Sequence, residues 1–230
     1  NFQVARNIHS RAGNGPVFHI FPDSKLDNNQ ALELAENLDL VNIIKEYGGR
    51  IMVVNPSSDK WQEQDLEDFR RLIGMGSSPT NVKVIGIGSG ATFVNRQLVA
   101  TELAGVIAGI VSIDGEPGKI CRLPVPAFIG GKNAAKAAKP YQTTSDSAPS
   151  DPLQKVVVNT DKKASLETLF AEAWDKVLSA NYRYNNLYRT FYMSRGIDNP
   201  EGVKNFELVS IPVFDKLGIQ RNVVEYPLVD

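Results

Sequence analysis

The feature that most constrains the fold of this 230-residue chain is a series of short, solid Val- and Ile-rich runs separated by amphipathic helical patterns. The runs are Val17–Phe21, Arg50–Asn55, Val82–Ile87, Ile107–Ile113, Val125–Ile129, Lys155–Val158 and Asn222–Tyr226. Most are apolar along their length rather than alternating, the pattern of strands covered on both faces. Between them, Gln30–Tyr47 places Leu32, Ala35, Leu38, Val41 and Ile44 close to one helical face. Asp27, Asn28 and Asn29 are suited to cap its start, and Gly48-Gly49 to end it. Helices are also expected over Asp65–Ile73, Ala91–Leu103 and Leu166–Leu178, the last capped by Ser165. Strands alternating with helices predict an α/β fold with a doubly wound, mainly parallel sheet and helices on both faces. The length suits one domain over residues 1–230, with the polar stretch Lys139–Pro152 as a flexible excursion.

Composition removes several functions. A net charge of −1 supplies no field to draw the chain to nucleic acid or an anionic membrane. No window approaches the about 18 apolar residues needed to span a bilayer. The single cysteine, Cys121, excludes a disulfide framework and a cysteine-rich metal site. The chain opens on Asn1 rather than Met, so the lack of a signal sequence decides nothing about compartment. The two histidines, His9 and His19, both lie near the N-terminus. A histidine base must be one of these or come from outside the chain. His19 sits in the apolar run VFHIF and is expected to be structural, whereas His9 lies in a polar stretch and is expected in solvent.

The sharpest local feature is VKVIGIGSGATFVN, residues 82–95, where a strand runs through a glycine-rich turn into a helix. Three readings fit. In a nucleophile elbow, G-x-S-x-G, a strained middle residue lifts its side chain clear of the sheet. Gly86 and Gly90 match the outer glycines, but Gly88 stands in the middle. In a dinucleotide turn, Gly86, Gly88 and Ala91 fit G-x-G-x-x-G/A, and Asp114 at the end of the next strand would meet a ribose. The third reading is a tight turn without a ligand.

Further segments carry a resemblance. IIKEYGGRIMVVNP (43–56), Trp61, LEDFRRLIGMG (66–76), NVKVIGIGSGA (81–91), VIAGIVSIDGEPG (106–118) and VPAFIGGKN (125–133) follow in order. Over residues 16–133 the chain resembles the polyhydroxybutyrate depolymerase and feruloyl esterase branch of the α/β-hydrolases. The resemblance implies that fold and an ester-hydrolysing ancestry, with secretion the favoured compartment. It also exposes departures. The nucleophilic serine falls on Gly88. The acid falls on Asn133 or its neighbour Ala134. The histidine belongs beyond the last strand, which is read here as NVVEYPLVD at the end of the chain. The family's oxyanion loop becomes Phe21-Pro22-Asp23-Ser24, and a carboxylate there opposes an oxyanion.

The expectation is therefore a degenerate hydrolase domain, without cofactor or metal, that binds or scaffolds. Its ligand would be a small ester, an aromatic or a carbohydrate, and its partner another domain or a second copy. Two alternatives stay open: an active carboxylic-ester hydrolase using Ser89 with a histidine from elsewhere, and an NAD(P) or nucleotide site at Gly86–Ala91. Pocket candidates are Asp23, Ser24, Trp61, Ser89 and Asp114. Asp114 and Glu116 form a carboxylate pair in a turn, compatible with oxygen-only Ca²⁺ or Mg²⁺ binding or with the turn alone. Asn181–Val203 is rich in Tyr and Arg and suits either stacking on a ligand or packing on the core.

Overall fold

The computed structural model describes residues 3–10, 15–75, 82–101, 103–104, 107–122, 125–143 and 156–179. In chain order the strands are β1 (Gln3–His9), β2 (Val17–Phe21), β3 (Arg50–Asn55), β4 (Val82–Ile87), β5 (Ile107–Ile113), β6 (Ala127–Gly130) and β7 (Val156–Asn159). The helices are α1 (Asn28–Asn37), α2 (Leu40–Tyr47), α3 (Glu63–Met75), α4 (Ser89–Phe93), α5 (Ala134–Ala137), α6 (Lys139–Thr143) and α7 (Leu166–Ala173). α4 and α7 continue directly into π-helical turns, Val94–Leu98 and Trp174–Leu178.

The strands form one sheet in the order β1-β3-β2-β4-β5-β6-β7. β1 runs antiparallel to β3, and every other pair is parallel. Each face carries its own core. Phe21, Phe69, Val84, Phe93, Leu98, Ile110 and Ile129 pack together on one side. Phe18, Ile20, Leu38, Ile44, Ile85, Val111, Phe128 and Phe170 pack on the other. Adjacent residues of β2 and β4 thus enter opposite cores, which is why these strands read as continuous apolar runs. The doubly wound, mainly parallel sheet matches the expected fold class.

The elements differ from expectation in instructive ways. The single helix expected over Gln30–Tyr47 is two. Asp39 adopts φ +55 between α1 and α2, a left-handed conformation that Asp tolerates, and its carboxylate accepts from Asn42 Nδ2 at 2.7 Å. The break turns Leu40, Ile43 and Ile44 into the core. The helix expected over Ala91–Leu103 begins two residues earlier and ends in the π turn. The N-terminal stretch read as polar is strand β1, with His9 exposed as expected. β6 lies two residues later in its N-terminal bound than expected. The segment expected as a loop from Lys139 starts with helix α6, and Tyr141 is fully buried there. Residues 144–152, the Tyr- and Arg-rich stretch Asn181–Val203 and the strand expected at Asn222–Tyr226 lie outside the described residues. Among the described residues no helix is long and apolar enough to cross a membrane.

Candidate functional site

The carboxyl ends of parallel strands form the side of an α/β sheet where ligands bind. There β4 ends at Ile87, and the chain turns through Gly88 into α4. Gly88 has φ +56 and ψ −116, a backbone that side-chain-bearing residues rarely adopt. A nucleophile elbow uses a strand-to-helix turn of this kind; the residue in the turn here is a glycine. Gly90 serves a close approach: a Cβ there would overlap the Phe21 carbonyl, so the loop after β2 lies directly against the start of α4.

That loop fills the elbow. A Cβ on Gly88 would collide with the Asp23 carboxylate, lying 2.5 Å from its Cγ. Asp23 Oδ1 accepts the Ser89 backbone N–H at 2.6 Å, and Ser89 Oγ donates to the Asp23 carbonyl. The loop is held at both ends. Trp61 Nε1 donates to the Pro22 carbonyl at 3.0 Å, and its ring stacks on Phe93 with centroids 5.1 Å apart. Asn55 Nδ2 donates to the Leu26 carbonyl at 2.8 Å, while Leu26 N–H donates to Asn55 Oδ1 at 3.0 Å. Asp23 and Ser24 stand exposed between these anchors. Of the pocket candidates, the structure joins Asp23 with Ser89 and puts Trp61 behind them as a half-buried support.

Asp114 and Asn133 lie at the neighbouring strand ends. Asp114 has φ +58, and its Oδ1 accepts the Lys132 N–H at 2.8 Å, tying the end of β5 to the loop after β6. Asn133 falls where the resemblance expects an acid. It donates through Nδ2 to Glu116 Oε1 at 2.9 Å, so a carboxylate from the preceding loop sits beside that position. Glu116 is held by its backbone: its N–H donates to Thr92 Oγ1 at 2.9 Å, and its carbonyl accepts from Asn95 Nδ2 at 2.9 Å. Asn95 in turn accepts from the buried Tyr141 hydroxyl at 2.7 Å. The pairing of Asp114 with Glu116 is not extended into a metal centre: among the described residues no three potential ligands converge.

The far-edge strand among the described residues is β7; the stretch from Asn222, expected as the last strand with the histidine beyond it, lies outside them. The loop after β7 carries Asp161, Lys162 and Lys163, and no histidine. The two histidines are elsewhere. His9 pairs with Arg50 at the start of β3, the opposite end of the sheet from Gly88. His19 is buried in β2, edge-on to Phe69 with centroids 5.1 Å apart. Burial, with a smaller contribution from the positive Arg50, lowers its pKa to about 3, so its ring is neutral.

Sequence reasoning had marked Asp23 as opposed to an oxyanion, but not as the group that fills the space over Gly88. It also missed the meeting of Glu116 with Asn133. The only available signal was the run of acids in loops that follow strands; which loop folds onto which turn depends on strand order.

No known family's sequence profile matches the chain, and no curated protein sequence does. Solved structures do match. The phospholipase/carboxylesterase from Dyadobacter fermentans superposes with a TM-score of 0.50 at 13% identity, covering 76% of this chain and 96% of that one. The Bacillus cereus carboxylesterase gives 0.49 at 12% identity, covering 74% and 93%. Native pOPH gives 0.36 at 19% identity over 50% of this chain, and the chain spans only 46% of pOPH. The fold, a mostly parallel seven-stranded sheet with helices, is α/β-hydrolase-like.

Proposed function

We propose that this chain is an esterase-type α/β-hydrolase domain that has lost catalysis and acts as a binding or scaffolding module. We place its ancestry in the polyhydroxybutyrate depolymerase and feruloyl esterase branch. One observation carries the reading: the Asp23 carboxylate fills the space over Gly88 and takes the Ser89 N–H. Acyl transfer needs a nucleophile at that point, a base to activate it and free amides for the developing oxyanion. Here the side chain is absent, no described imidazole is near, and a negative charge holds the amide. Loss of triad members alone leaves only about 10³–10⁴-fold catalysis over water, and that residue depends on the oxyanion hole. With Asp23 in the hole, the remainder is lost too. Ser89 cannot replace the nucleophile while its hydroxyl is spent on the Asp23 carbonyl. The same carboxylate repels a pyrophosphate at Gly86–Ala91, which weighs against the nucleotide reading.

The test is hydrolysis of p-nitrophenyl butyrate and labelling by a fluorophosphonate probe, using the whole chain. The expected result is background hydrolysis, unchanged in Ser89→Ala, and no label. Turnover that disappears in Ser89→Ala would overturn the reading.

A further inference from the structure

We draw no further inference here: the strongest candidate, the exposed surface patch of Lys119, Ile120 and Arg122 in the loop after β5, beside Arg96 of the π turn that follows α4, carries nothing because nothing in the structure shows what covers it.

Discussion

Gly88 and Asp23 share one space, and this makes their energetics inseparable. Any side chain at 88 must adopt φ +56 with ψ −116 and also displace the Asp23 carboxylate. Gly88→Ala is expected to cost about 1–3 kcal/mol from the backbone alone. The displaced carboxylate adds the loss of its bond to the Ser89 N–H, about 1 kcal/mol. Asp23→Ala removes that second part beforehand. The two substitutions should therefore be non-additive: Gly88→Ala should be about 1 kcal/mol milder in the Asp23→Ala background. A double-mutant cycle by urea unfolding measures this, and strictly additive costs would mean that the carboxylate does not occupy the elbow. Substituting a serine at 88 meets the same obstacle, so it requires moving Asp23 as well.

At the scale of elements, α4 runs on into a π turn in which Val94, Asn95 and Leu98 are all buried. Asn95 can then bridge the Glu116 carbonyl and the Tyr141 hydroxyl, linking the helix after the elbow to the loop after β5 and to α6. Tyr141→Phe leaves the buried Asn95 Oδ1 short of its donor, and should cost about 1–3 kcal/mol by urea unfolding with little change in volume. An unchanged midpoint would show that the bridge carries no stability. These elements also show what was readable in advance. β2, β3, β4 and β5 were legible because both their faces are buried, which leaves an unbroken apolar run. Lys83 did not hide β4, although it is itself buried. β1 was missed because an edge strand tolerates Arg6 and Asn7. α6 was missed because its buried residues, Pro140 and Tyr141, stand in a stretch whose Ser, Thr and Pro content resembles a loop. The elbow's backbone was legible in its glycines. Its occupant was not, because Asp23 reaches Ser89 across 66 positions of sequence, through the pairing of β2 with β4.

The whole molecule divides its two histidines between solvent and core, and this gives its stability a pH dependence. His19 lies under α3 against Phe69, and its Nδ1 has no hydrogen-bond partner. Burial first, and then the charge of Arg50, lower its pKa from 6.5 to about 3. The folded chain therefore holds this proton less readily than the unfolded chain, where the ring keeps its ordinary value near 6.5. The stability of the neutral ring is fully present above about pH 6.5. It falls by about 1.4 kcal/mol per pH unit below that, until the folded ring itself protonates near pH 3. Moving from pH 7.5 to 5.5 should thus cost the parent chain about 1.4 kcal/mol through this residue. Carboxylates titrate lower and add their own slopes, so the variant is the reference. His19→Leu fills a similar volume without a titrating group, and its urea midpoint should change less than the parent's between the two pH values. Equal changes in both chains would mean that the ring reaches solvent or a partner when protonated. The predicted difference requires the sheet and α3 to stay closed over His19 throughout that range. The same measurement therefore tests whether this side of the core opens before the molecule unfolds as a whole.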